Sequence, residues 1–239
     1  MLTGCGEKRL MGLEDEQVKQ TRKTTLPEKW AALFPSYIWP CFAVILISMI
    51  GAYCGTRLLL PFLPVYRLDM PIDAAIPFLP EWISVYYLAF LSWAVSGFVI
   101  LAQGKEHARR VTRAFVIAMG LSALVFLCWP LTIERPEVEG SGLFRDLVRA
   151  TYQMDQPNNL FPSLHVLMSY FCWRCLWDCP RVSRWFKGLN LVVFLLVCLS
   201  VVFVKQHLVI DIPGGIIVGE AAIQAARVPG MLAVSRAKP

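Results

Sequence analysis

Apolar residues along this chain gather into six blocks, separated by stretches rich in charge, proline or both. The first three run from Tyr37 to Thr56, Trp82 to Ala102 and Val111 to Ile133. Each is close to the roughly 20 residues that carry a helix across a bilayer. Three shorter blocks follow, Pro162 to Trp177, Leu189 to Val204 and Leu208 to Ala226. Residues 1–36 read as a polar cytoplasmic tail, with one surface helix leading to Trp30 and Phe34, and residues 229–239 as a second cytoplasmic tail. Between the first two blocks, Pro61, Pro64, Pro71, Pro77 and Pro80 predict an irregular loop, because proline removes a helix donor and clashes with the preceding turn. A second polar connector spans Glu134 to Phe161. The pattern predicts an all-α polytopic membrane protein, with six transmembrane helices bundled over residues 37–228. It lacks the ten-residue alternation of a membrane β-barrel.

Composition agrees. Hydrophobic residues make up 56% of the 239 positions and charged residues 17%, against about 45–50% and about 25% in soluble domains. That excludes a soluble globular enzyme, a disordered chain and a small disulfide scaffold. The net charge of +6 comes without an Arg-rich stripe, so no nucleic-acid partner is expected. The positive charges instead mark the loops. Lys19, Arg22, Lys23 and Lys29 precede the first block, and Lys105, Arg109, Arg110 and Arg113 follow the second. Arg181, Arg184 and Lys187 separate the fourth from the fifth, and Arg227, Arg236 and Lys238 follow the sixth. The alternate loops hold fewer, which predicts both termini in the cytoplasm. The connector before the fourth block and the turn before the sixth then face outward or into a lumen. Leu2-Thr3-Gly4-Cys5 mimics a lipoprotein box, but no apolar region precedes it and no cleaved signal is expected. Cys172 and Cys175 form a C-x-x-C inside an apolar block, where a packing role fits better than redox or metal chemistry.

Two of the three histidines stand at those outward segments. His165 lies in Pro162-Ser163-Leu164-His165 and His207 in Lys205-Gln206-His207-Leu208-Val209-Ile210-Asp211. Ionisable groups at membrane depth are costly and usually functional. The helical hairpin between them returns residues 42 positions apart to one face of the bundle. His207 and Asp211 are four apart, so a helix would stack them, and the carboxylate would fix the imidazole tautomer. Pro162 suits a first helical turn, which leaves the amides of Ser163 and Leu164 free for an anion. Arg135 could grip a phosphate in a planar fork, and Lys205 adds a second cation. Asp155 and Asn159 fit turns and caps better than catalysis. Trp82, Tyr86, Tyr87 and Trp129 suit interfacial belts. His107, in a basic loop, is assigned no role. Glu220 and Arg174 read as snorkelling or interhelical groups.

Pro162-Ser163-Leu164-His165 resembles the P-S-x-H motif of the type 2 phosphatidic acid phosphatase (PAP2) superfamily. Ser200, His207 and Asp211 resemble its S-x6-H-x3-D motif, and Arg135-Pro136 the end of its K-x6-R-P motif. The likeness covers roughly residues 128–215. It implies a phosphoesterase acting on lipid phosphate esters, without a metal or other cofactor. His207 would be the nucleophile that becomes a phosphohistidine and Asp211 its partner. His165 would be the acid for the leaving alcohol, while Ser163 and Arg135 would bind phosphate. Cys128 stands at the lysine position of that pattern and Val201 at an arginine position, and Lys205 is the candidate replacement cation. The wording from Asp155 to His165, with Lys205-Gln206-His207, is closer to the branch of inositol phosphorylceramide synthase-like proteins, which transfer a phospho-headgroup between lipids. Hydrolysis is the favoured expectation and headgroup transfer the alternative. A transporter and a non-catalytic lipid-binding relative are the remaining classes. Six helices would suit the transporter, but the charges gather in one outer layer and trace no path across the membrane.

Overall fold

The computed structural model describes residues 35–68 and 70–227. All but the last two residues of the 1–36 tail, with its expected surface helix, lie outside that range, as does the 229–239 tail. The first helix, α1 (Ile38–Ile50), runs on through a π-helical turn (Gly51–Gly55), α2 (Thr56–Leu59) and a 3-10 turn ending at Phe62. Then come α3 (Pro71–Ala75), α4 (Ile83–Leu101), α5 (Lys105–Cys128), α6 (Leu143–Met154), α7 (Leu164–Trp177), α8 (Arg184–Phe203) and α9 (Asp211–Arg227).

Among the described residues four helical stretches are long and apolar enough to cross a bilayer: Ile38–Phe62, Pro80–Leu101, Lys105–Cys128 and Arg184–Phe203. Of the six expected spans, four meet that length and hydropathy among the described residues. With 14 and 17 residues, α7 and α9 rise about 21 and 26 Å at about 1.5 Å per residue, short of a hydrocarbon core of about 30 Å. The sequence blocks looked longer because the apolar run continues into turns that are not helical.

The proline-rich loop is more ordered than its breakers predicted. Pro71 opens α3 and Pro80 a 3-10 turn, first-turn positions where a missing N–H is no loss. Before them β1 (Tyr66–Arg67) pairs in parallel with β2 (Leu131–Thr132), Tyr66 opposite Leu131 and Arg67 opposite Thr132. That pair ties the loop to the segment carrying Arg135. The second connector holds α6, which buries Val148 and Thr151 and exposes Leu143 and Met154. Tyr152 Oη donates to the Val204 carbonyl at 2.7 Å and Tyr87 Oη shares a 2.9 Å hydrogen bond with Thr151 Oγ1, which fixes α6 against α4 and the end of α8.

Helix α7 is the axis, packed against α4, α8 and α9. Leu167, Phe171, Cys175 and Leu176 face Phe115, Ala118, Ala222 and Ile223, while Val166 joins Tyr86, Val197 and Val201 on the other side. The outward faces stay apolar, with Ile47, Leu91, Leu124, Leu195 and Ile217 exposed. An apolar exterior is the inverse of a soluble surface and suits lipid.

The closest packing is α9 on α7. A Cβ at Gly215 would stand 2.7 Å from the Ser163 carbonyl oxygen and 3.0 Å from the Leu167 amide nitrogen. One at Gly214 would enter the Phe161 ring at 2.4 Å, and one at Gly219 would meet Tyr170 at 3.1 Å. Gly215 and Gly219 thus form a small-x-x-x-small stripe that lets two helices approach backbone to backbone. Pro213, which in a longer sixth helix would have kinked it, is the third residue of α9, where no amide has an intrahelical partner to lose. Gly215→Val should be destabilised by about 1–3 kcal/mol, as overpacking against an unyielding partner costs. Thermal unfolding of purified protein in detergent checks it; an unchanged midpoint would contradict the close approach.

Candidate active site

His207 does not lie on a helix as the spacing suggested. It sits in the turn between α8 and α9, and α9 begins only at Asp211. Two local devices put it there. Lys205 N–H donates to the Val202 carbonyl and Gln206 N–H to the Val201 carbonyl, with Lys205 at φ 52. This is the paired closure of a helix C-terminus around one left-handed residue. Then Asp211, fully buried, accepts the Leu208 amide at 2.9 Å and His207 Nδ1 at 3.0 Å on the same carboxylate oxygen. The expected pairing therefore holds across a turn instead of along a helix face. A carboxylate only accepts, so His207 Nδ1 carries a proton, and in the neutral ring Nε2 keeps its lone pair.

His165 is the second residue of α7. Its ring centroid lies 5.9 Å from that of His207, and Tyr86, Trp93 and Phe90 surround it at 4.3, 5.5 and 5.7 Å. Its buried Nδ1 has no hydrogen-bond partner. Tyr86 is only 3% exposed, so the belt position expected for it is corrected to a wall of the histidine pocket; Tyr87, bonded to Thr151, also turns inward.

Ser163 and Pro162 take different places from those expected. Ser163 is the N-cap of α7, accepting the Val166 amide on Oγ at 3.4 Å, and Pro162 precedes it outside the helix. The Ser163 amide is not free, for it donates to the Asp211 carbonyl at 3.3 Å. Ser163 is fully buried and does not line the cavity described below.

Arg135 reaches the centre. Its Nη1 donates to the Asp155 carbonyl and its Nη2 to Gln206 Oε1, and its guanidinium lies 4.6 Å over the Tyr152 ring. Burial lowers its pKa and nearby Asp155 opposes the shift, while burial pushes Tyr152 up to about 12 against the pull of Arg135. Lys205 turns the other way, giving its ammonium to the Asp73 carbonyl at 2.8 Å and to that of Ile76. The replacement cation is not brought to the site. Cys128 is exposed at the end of α5 and Val201 is buried in the core. Ser200, the first residue of the third motif, holds the Trp82 carbonyl at 2.9 Å.

A cavity of about 400 Å³ joins these groups. Arg135, Asp155, Asn158, Asn159, Gln206, His165 and His207 make its polar wall; Met49, Ile50, Phe90, Trp93, Met119 and Met168 make the apolar one. Tyr53, from the π-helical turn, also lines it and donates to Asp155 Oδ1, while Arg57 Nη1 donates to Tyr53 Oη at 2.9 Å. Tyr53 carries no motif signal that would have flagged it, while Asp155 and Gln206 stood in the branch-like wording without a role at the site. Asn159, at φ 55, gives its amide to the Tyr53 carbonyl at 3.1 Å and to Thr56 Oγ1 at 2.9 Å. The other noted groups are structural. Glu220 accepts from Tyr170 Oη at 2.8 Å and pairs with Arg174 at 3.2 Å between α7 and α9. Cys172 and Cys175 are free and buried.

A family model described as the PAP2 superfamily matches residues 70–225. The chain belongs to the PAP2 superfamily. No curated protein and no solved structure matches it. The PAP2 match takes in His165, His207, Asp211 and Arg135 but not Tyr53 or Arg57, so α1 and the π-helical turn bring to the cavity residues from outside the family region. Membership of the PAP2 superfamily, with four apolar spans, points to a phosphatase-type membrane enzyme. Asn159→Ala removes two hydrogen bonds and places a Cβ-bearing residue with no side-chain amide at a left-handed φ. It should lower stability by about 1–3 kcal/mol, read as a lower melting temperature, and Asn159→Gly should recover the part due to backbone strain.

Proposed function

We propose that this chain is an integral membrane phosphoesterase acting on lipid phosphate esters through a phosphohistidine at His207. The observation that carries the reading is the meeting of His165 and His207, centroids 5.9 Å apart, on one cavity, with Asp211 on the far nitrogen of His207. His207 Nε2 attacks phosphorus, the bond from phosphorus to the ester oxygen breaks, and protonated His165 gives its proton to the departing alkoxide. Neutral His165 then takes a proton from water, whose oxygen displaces His207 and releases phosphate. Asp211 stabilises the imidazolium character His207 gains, as a buried carboxylate does in nucleophilic triads. Arg135 supplies charge to the phosphoryl oxygens. The apolar wall suits an acyl chain beside the scissile ester, so a lipid is the substrate and the bilayer its store. The loops carrying the site face the extracytoplasmic or lumenal side with both termini in the cytoplasm, a reading supported by the distribution of Lys and Arg. In that arrangement α7 and α9 complete a six-helix bundle as short inner helices.

A second reading has an observation in its favour. A phosphomonoester carries about −1.5 to −2 at neutral pH, a diester a single charge. The cavity wall offers one guanidinium, and a carboxylate, Asp155, stands beside it. Lys205 is engaged elsewhere. That balance suits a diester, and hence transfer of a phospho-headgroup to a lipid alcohol, with the alcohol in place of water in the second step.

His207→Ala should abolish turnover together with any acid-labile phosphoenzyme, and an active His207→Ala protein would refute the nucleophile. His165→Ala should slow formation of that intermediate most for poor leaving groups. Incubating purified protein with phosphatidate or a phosphodiester lipid, with and without an added lipid alcohol, separates the readings. Released inorganic phosphate marks hydrolysis, and a new phosphodiester marks transfer.

A further inference from the structure

Buried donors without acceptors are rare, because each forfeits the free energy of a hydrogen bond it had in water. Two of them belong to hydrogen-bonded neighbours here, Arg135 and Gln206. Gln206 is 2% exposed, lines the cavity, and accepts Arg135 Nη2 on Oε1. Arginine can only donate, so the oxygen of the Gln206 amide must face it and the nitrogen must face the other way. That nitrogen, Nε2, is buried with no partner, and so is Nε of Arg135 itself. His165 Nδ1, on the same cavity, is a third buried nitrogen without one. Gln206 also immediately precedes His207, and both residues give their amides to the Val201 carbonyl, at 2.9 and 3.0 Å. The backbone therefore holds the glutamine and the histidine in fixed relation, and Arg135 fixes the glutamine's amide plane.

We propose that Gln206 is a phosphate-binding residue whose side-chain amide donates to a phosphoryl oxygen next to His207, with Arg135 both orienting that amide and sharing the anion. The inference rests on the phosphoryl-transfer reading and assigns to that site a neutral donor at a position that the S-x6-H-x3-D motif leaves unspecified. An oxyanion held by Arg135 Nε and Gln206 Nε2 satisfies both orphans at once and adds only one positive charge.

The test uses the full chain in detergent or vesicles, with orthovanadate as a phosphate mimic. Gln206→Glu keeps an oxygen for Arg135 and removes the donor; Gln206→Met, of similar length, removes both and serves if the first variant does not fold. Thermal unfolding is followed with and without orthovanadate, and kcat/KM is measured where a substrate is turned over. Wild type should be stabilised by orthovanadate. The variant should keep its midpoint without the anion but lose the stabilisation, and kcat/KM should fall about tenfold or more, as for a hydrogen bond to a charged group. Equal stabilisation of wild type and variant would overturn the role of Gln206 and leave the phosphohistidine reading standing. If wild type binds no orthovanadate and turns over no phosphate ester, the underlying reading falls and the inference with it.

Discussion

Asp211 joins the two halves of the site. Its backbone carbonyl takes the Ser163 amide from the segment that leads into α7. Its side chain takes the Leu208 amide and His207 Nδ1 from the turn after α8. One buried residue thus binds a motif centred on His165 to a motif centred on His207. An unpaired carboxylate at such depth would cost several kcal/mol; here its charge is met by a main-chain donor and an imidazole. The second carboxylate oxygen is buried without a partner, so the group is held from one side only. The approach of α9 makes this possible. Gly214 and Gly215 bring its first turn so near Phe161 and Ser163 that no side chain fits between.

Around that joint runs a polar chain of Arg57, Tyr53, Asp155, Arg135 and Gln206. Each member orients the next. Asp155 ties α1 to the site through its side chain and Arg135 through its carbonyl. The π-helical turn at Gly51–Gly55 carries Tyr53, in keeping with the tendency of such turns to mark functional positions. With Lys205 closing a helix end, the positive charge at the cavity comes from Arg135 and, one hydrogen bond back, from Arg57. The other polar groups on the wall include neutral amides and imidazoles.

The parts legible in the sequence were those with local causes. Apolar blocks placed the helices, and the spacing of His207 and Asp211 foretold their contact even though the intervening backbone is a turn. Order along the chain brought His165 to His207. What stayed hidden depended on direction. Lys205 is two residues from His207, yet its left-handed backbone sends the side chain to α3, and nothing in composition signals that choice. Ser163 reads as a phosphate ligand in the motif; in the fold its hydroxyl caps α7 and is buried away from the cavity lining. Tyr86 looked like an interfacial aromatic because apolar helices give no phase when every face is hydrophobic; only packing shows that it faces His165. Gln206 and Tyr53 are residue types too common to stand out before their neighbours are known.

The two helices that fall short of a span are the two whose first residues build the site. A longer α7 would replace the loop at Gln156–Ser163 with helix, and a longer α9 would straighten the turn at Lys205–Ile210. Both segments would be intolerable against lipid, where each open amide or carbonyl must find a partner within the protein. They are enclosed instead. Asn159 bonds the π-helical turn and α2, Thr132 Oγ1 donates to the Pro157 carbonyl at 2.7 Å, and Val209 N–H donates to Asp73 Oδ1 at 2.8 Å. The bundle therefore gives up helix length at one end and fills the height with irregular backbone whose polar groups are met by neighbouring elements. The cavity is what remains of that exchange: a pocket walled by apolar helix on one side and by loops with donors to spare on the other.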